Sequence, residues 1–246
     1  MADHITNINL KVVLMDTDYY ALQAINGYLA WDRRTRVTHM SDSLSDLWEY
    51  LRKTPVAELP DVVLLDADDV DNAQQLQQVI TRICSLVPQV SVLCLAQQPD
   101  VHHIDAAAAA GARGYLIRGE VRSQIAWAIA ISRLHEFLVT ASVARAASLH
   151  EEMHSRARHA YLLPKAREYP QLTGRVGQAI ELTVVKGLPA FLAADEMGIS
   201  LHTIRSYIKE GYRILEAADD TDYPVNMSPA ERAFMRLTHP AEDNTP

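Results

Sequence analysis

Short apolar runs alternate with stretches of helical periodicity along the first half of the chain. Residues 11–15 (KVVLM) form a β-branched run ending in Asp16-Thr17-Asp18, the pattern of a buried strand that opens into a loop. Tyr20, Leu22, Ile25 and Leu29 then recur at helical spacing. Residues 36–40 predict a second, weaker strand and 44–51 a second helix. Residues 61–65 (DVVLL) predict a strongly apolar third strand that ends in Asp66. Helix over 73–87, strand over 90–95, helix over 101–110 and strand over 114–117 follow, with helix again from Val121. Five apolar runs interleaved with helices predict an α/β fold: a five-stranded parallel sheet covered on both faces. Ligands of such sheets gather at the carboxyl ends of the strands, which brings Asp16, Asp18, Asp66 and Ala96 to one edge. Trp127, Ile131, Leu134, Leu138 and Ala141 recur at 4,3,4,3 spacing and predict an apolar seam on one long helix. That seam would cover the sheet or pair with a second copy.

From residue 169 the pattern is helical throughout. Leu172-Thr173-x-Arg175 leads into Ile180, Leu182, Val185 and Gly187. Ala193-Ala194-x-x-Met197-Gly198-Ile199-Ser200 comes next, then Thr203-Ile204-Arg205-Ser206-Tyr207-Ile208-Lys209. Thr173 can cap a first helix, and Pro189 suits the first turn of a second, where its missing N–H costs nothing. Gly198 suits the C-terminal cap of that second helix. Ser200 begins a third. On this third helix Arg205, Lys209 and Arg213 fall at i, i+4 and i+8, one face with three cations, while Ile204, Ile208 and Leu215 face the first two helices. Gly211 within it costs about 1 kcal/mol relative to Ala unless close packing requires it. Ser228-Pro229-Ala230-Glu231 opens a last short helix with a capping box.

The 246 residues suit two small domains. A net charge of −8 argues at first against a nucleic-acid partner. The acid is unevenly placed, however: residues 1–130 carry ten basic and sixteen acidic side chains, and residues 218–246 two and six. Residues 169–217 are neutral, five against five, with their cations gathered on the third helix. Cys84 and Cys94 have no CxxC spacing, so neither a disulfide framework nor a zinc ribbon is expected. No basic-then-apolar leader opens the chain, and the apolar stretches fall short of the ~18–20 residues a membrane span needs, so a cytoplasmic protein without membrane contact is expected. His150-Glu151-Glu152-Met153-His154 fits H-E-x-x-H, which on a helix would set two imidazoles on one face for zinc. Its extension lacks the next Gly and His, with Ala157 and Ala160 in their places, and a plain surface segment is expected there.

The acidic loop after strand one, the Asp at the end of strand three and Gly-Ala-x-Gly-Tyr into strand five resemble the flavodoxin-like receiver domain of bacterial response regulators. The resemblance implies a phospho-acceptor at Asp66, Mg²⁺ held by Asp16 and Asp66, and a pocket formed by Asp16, Thr17, Asp18, Asp68, Ala96, Tyr115 and Arg118. Several of these depart from the family: Thr17 stands for a carboxylate, Ala96 for a Ser/Thr and Arg118 for a Lys, while Tyr115 keeps the aromatic switch position. Mg²⁺ wants hard oxygen ligands, so the loss of one carboxylate removes charge where it is needed. Arginine is a planar fork and not a point charge. Residues 172–215 resemble the LuxR-type helix-turn-helix, which implies DNA contacts from Thr203, Arg205, Ser206, Lys209 and Arg213. The family's Lys-Glu pair in the second helix is replaced by Phe191-Leu192.

These readings divide the chain into a receiver-like domain (1–138), a helical linker (139–168), a DNA-binding domain (169–217) and an acidic tail with a short helix (218–246). They point to a transcriptional regulator without enzymatic activity. It would bind DNA as a homodimer and be governed by a sensor kinase through Asp66 or by a small molecule in a degenerate pocket. The competing reading is an adaptor whose helix-turn-helix makes protein contacts.

Overall fold

A computed structural model of the chain describes residues 9–150, 152–172, 174–219, 221, 223–224 and 226–241. The chain divides into two compact units between Leu163 and Pro164.

The first unit is built on β1 (Leu10–Met15), α1 (Tyr19–Ala30), β2 (Thr35–Ser41), α2 (Leu44–Lys53), β3 (Val62–Asp66), α3 (Ala73–Leu86), β4 (Ser91–Ala96), α4 (Val101–Ala109) and β5 (Gly114–Ile117). It continues through α5 (Arg118–Val121), α6 (Ile125–Ser132), β6 (Leu138–Val139), α7 (Ala141–Ser148), α8 (Ser155–Arg158) and β7 (Tyr161–Leu162). All strands pair in parallel, in the order β2-β1-β3-β4-β5-β6-β7. Alternation sorts the strand residues into two cores. Val13, Met15, Val63 and Leu65 pack with Leu47, Ile80 and Ile104 of the helices on one face. Val12, Leu14, Leu64 and Leu116 pack with Leu22, Leu29 and α6 on the other. All eight residues of α6 are buried, which explains an apolar stretch with no polar face.

The sheet therefore has seven strands among the described residues, not the expected five, and residues 139–168 are not a helical linker. The predicted long helix ends at Ser132; Leu134 is 60% exposed and Leu138 lies in β6. The spacing misled because Leu138 fits a helical period as well as a strand. Glycine makes room for the addition: a Cβ on Gly114 would stand 2.6 Å from the Leu138 carbonyl oxygen and 2.8 Å from Leu93 Cδ2. The extension is tied down by Arg156, whose guanidinium donates to the carbonyls of Ala108 (2.8 Å), Ala112 (2.8 Å) and Glu136 (2.5 Å). Asp105 accepts the His154 N–H at 2.6 Å.

This fastening also dissolves the H-E-x-x-H match. α7 ends at Ser148, and His154 is the N-cap of α8, its Nδ1 accepting the Arg156 N–H. No helix presents the two imidazoles together; Glu151 lies outside the described residues. No group of three metal-ligating side chains occurs among the described residues, and no described helix is long and apolar enough to cross a membrane.

The second unit contains α9 (Gly174–Ile180), a π-turn (Glu181–Val185), α10 (Ala190–Met197), α11 (Leu201–Ala217) and α12 (Pro229–Thr238). Its core gathers Ala179, Leu182, Ala193, Ala194, Met197 and Ile204. Gly198 ends α10 in the left-handed region (φ 63°), as its position predicts. Pro189 is the N-cap residue of α10, one position earlier than expected. Ser200 caps α11, accepting the Thr203 N–H at 3.1 Å. Arg175 donates to the Met197 carbonyl at 3.0 Å and so ties α9 to the end of α10. Gly211 meets the exception foreseen for it, since a Cβ there would stand 2.3 Å from Ile180 Cγ1. Its bareness lets α11 approach α9. The capping box of Ser228 and Glu231 forms on α12. Thr173, expected to cap the first helix, lies outside the described residues, as do Asp220, Asp222 and residues 242–246 of the acidic tail.

Candidate functional site

The carboxyl edge of the first sheet does collect acid, but a cation from the chain sits in it. β1 delivers Asp16 just past Met15, β3 ends on Asp66, and β5 runs directly into Arg118 at the start of α5. The Arg118 guanidinium forks between them: one nitrogen lies 2.5 Å from Asp16 Oδ2, the other 2.6 Å from Asp66 Oδ1. The two carboxylates are 3% and 8% exposed, so the pair is shielded from water. Asp66 Oδ1 carries a second bond, from the backbone, and Asp66 Oδ2 takes none among the described residues. Asp16 Oδ1 takes the Asp18 N–H at 2.9 Å, and Asp66 Oδ1 the Asp68 N–H at 3.0 Å. Burial pushes the Asp66 carboxyl up to about 6; the Arg118 charge opposes this and the neighbouring Asp16 adds to it. Arg118 in turn is held firmly charged, because attraction to two carboxylates outweighs its own desolvation.

The other expected pocket residues are engaged elsewhere. Asp18 turns away to cap α1, accepting the N–H groups of Tyr20 (2.8 Å) and Ala21 (3.3 Å). Thr17 donates its hydroxyl to Asp69 at 3.2 Å. Asp68 accepts the Gln97 N–H at 2.7 Å, tying the loop after β3 to the loop after β4. Ala96 is fully buried and offers no hydroxyl. Tyr115 is also fully buried. Mg²⁺ on Asp16 and Asp66, as the resemblance implies, does not fit this donor set. A guanidinium already occupies the space between the two carboxylates, and Thr17 supplies no charge in compensation. Sequence reasoning identified the three members of this cluster but missed the bridge, and missed Asp69 and Gln97 as partners.

The second candidate is the outer face of α11. Arg205, Ser206, Lys209 and Arg213 are all exposed, and Thr203 half-buried. Among the described residues Arg205 and Lys209 make no ion pair. Arg213 differs: Glu210 grips it through two bonds of 2.9 and 2.6 Å, an i,i+3 pair not anticipated in the sequence. Ser206 donates to the His202 carbonyl at 3.2 Å. The face therefore offers two uncommitted cations near its start and a third partly neutralised. Phe191 and Leu192 on α10, where the resemblance implies Lys-Glu, are 56% and 44% exposed. Ile204 and Leu215 are fully buried on the opposite face, as their spacing predicts.

No protein-family model matches the sequence, and no curated protein matches it. Solved structures do. The RcsB response regulator of Salmonella typhimurium, in a structure concerned with its conformational dynamism for DNA interaction, is 18% identical with a TM-score of 0.50, covering 88% of this chain and 95% of that one. The two-component response regulator RcsB in complex with DNA is 16% identical with a TM-score of 0.51, over 93% of this chain and 99% of that one. At such identities the likeness is one of fold alone: a parallel α/β unit followed by a helical unit.

Proposed function

We propose that the chain is a sequence-specific DNA-binding transcriptional regulator whose recognition element is α11. The observation that carries this reading is the exposed Arg205-Ser206-Lys209 face on a helix braced from behind by α9 and α10. A helix so held can lie in a major groove, with its early residues on base edges and its longer cations on phosphates. Thr203 and Arg213 flank this centre. Half-sites are read in pairs by such units, so the active species is a homodimer. The likeness in fold to a regulator solved with DNA supports the same reading.

The test is a binding titration on a site selected from genomic DNA, repeated at several salt concentrations. Wild-type affinity is expected to fall linearly on logarithmic axes, since phosphate contacts release counterions. Arg205→Ala and Lys209→Ala are each expected to weaken the selected site about tenfold or more. Loss of a phosphate contact lowers the salt slope by about one. Unchanged affinity in both variants overturns the assignment, and salt-insensitive association would favour the adaptor reading.

The receiver-type unit, on the same proposal, governs DNA binding without efficient phosphorylation, through a partner or small molecule. Asp66 is the carboxylate that would attack a phosphodonor, but its side chain is buried and its Oδ1 is paired with Arg118. Incubation with a small-molecule phosphodonor and Mg²⁺ is expected to leave the mass of the intact protein unchanged. A one-phosphoryl gain that disappears in Asp66→Asn would reinstate a sensor kinase as the controlling partner.

A further inference from the structure

We infer that Arg118 is the built-in cation of the acidic pocket, doing structurally what a divalent ion would otherwise do between Asp16 and Asp66. The inference rests on the receiver-type reading of the first unit and deepens it by naming the pocket's occupant. The geometry is that of a bridge and not of a chelate. Two different guanidinium nitrogens serve two different carboxylates, at 2.5 and 2.6 Å, from strands adjacent in the sheet. Arg118 comes from the end of β5, so one side chain links the carboxyl ends of β1, β3 and β5.

The chemistry suits a permanent fastening. A planar fork spans two acceptors at fixed separation, which the compact ammonium of a lysine does not. The guanidinium stays protonated across physiological pH, so the bridge does not come and go with acidity. Its side chain is only 16% exposed. Without it two buried carboxylates would face one another with no positive charge between them, while Thr17 and Asp18 are bonded to Asp69 and to the start of α1. The substitutions at Thr17 and Arg118 thus form one change: a carboxylate's charge is absent from the loop, and a cation from the chain occupies the centre that the charge would have helped to fill.

Thermal unfolding of the full chain, with and without millimolar Mg²⁺, tests this. The wild-type midpoint is expected not to respond to Mg²⁺. Arg118→Ala is expected to melt lower in metal-free buffer, by on the order of 5–10 °C, and to recover part of that loss when Mg²⁺ is added. A Mg²⁺ response in the wild type as large as in the variant overturns the inference. So does a metal-free variant as stable as the wild type, or a destabilised variant that Mg²⁺ does not help. Should Arg118→Ala fail to fold, Arg118→Lys replaces it under the same criteria. DNA binding by the wild type is scored separately, so failure of the DNA reading and failure of this bridge are distinguishable.

Discussion

Asp219→Ala is expected to destabilise the second unit by about 3 kcal/mol and to abolish the DNA binding proposed for α11 at temperatures where the first unit remains folded. Asp219 stands just beyond the end of α11 and is 7% exposed. Its Oδ1 accepts from the Thr221 N–H (3.1 Å) and hydroxyl (2.6 Å) and lies 3.6 Å from Arg167; its Oδ2 lies 3.3 Å from Arg236 Nε. Arg236 is 5% exposed on α12, its guanidinium 4.6 Å over the ring of Tyr223 and its carbonyl accepting the Tyr169 hydroxyl at 3.1 Å. One carboxylate therefore fastens the segment before α9, the end of α11 and α12. Removing it leaves the buried Arg236 charge with no carboxylate partner among the described residues, and truncating one partner of a buried pair typically costs about 3–5 kcal/mol. The Asp219–Arg236 contact is close but lacks hydrogen-bond alignment, which places the effect toward the lower end. The measurement separates the units cleanly. All three tryptophans, Trp31, Trp48 and Trp127, lie in the first unit. Helical circular dichroism should lose amplitude early in the variant, while the tryptophan transition stays at the wild-type midpoint. A tryptophan transition that moves in step would refute the independent fastening.

The contrast between what sequence patterns revealed and what they hid follows element length and side-chain direction. β1, β3 and β4 were legible because four or more apolar residues in succession define a buried parallel strand, and β5 because Tyr115, Leu116 and Ile117 follow a glycine that marks its start. α10 and α11 were legible because Gly198 and Ser200 punctuate them and Ile204 and Leu215 keep one face. β6 and β7, at two residues each, are shorter than any periodicity can register, and their pairing depends on the missing side chain of Gly114. In the pocket, spacing brought Asp16, Asp66 and Arg118 to one edge, but residue identity does not say which way a side chain turns. Asp18 faced a choice between the pocket and the free N–H groups of α1, and the cap won. Arg118 was legible as a departure from lysine, yet its consequence lies in a fork whose two bonds go to different strands. Arg213 looked like a free cation until Glu210, one turn back, was seen to hold it.

Asp32→Ala is expected to cost the first unit about 3–5 kcal/mol, and restoring an apolar environment should recover most of the loss. Asp32 and Arg34 occupy the turn from α1 into β2 and are each 1% exposed. Asp32 Oδ1 accepts the Arg34 N–H at 3.0 Å and its Nε at 2.8 Å, and Oδ2 pairs with the second guanidinium nitrogen. The same guanidinium lies 3.5 Å over the ring of Trp127 on α6. The turn is thus pinned to the buried helix beneath it by a charge that, among the described residues, Asp32 alone balances. With alanine there, Arg34 keeps the stacking on Trp127 but bears its desolvation alone, and Trp127 fluorescence should report the disturbance directly. Combining Asp32→Ala with Arg34→Leu removes charge on both sides, and well-packed apolar replacements of buried pairs are often neutral. The double variant should therefore unfold at higher denaturant than Asp32→Ala alone. A single variant that loses less than about 1 kcal/mol, or a double variant weaker than the single, would mean that packing of this turn and not its charge balance holds α1 and β2 against α6.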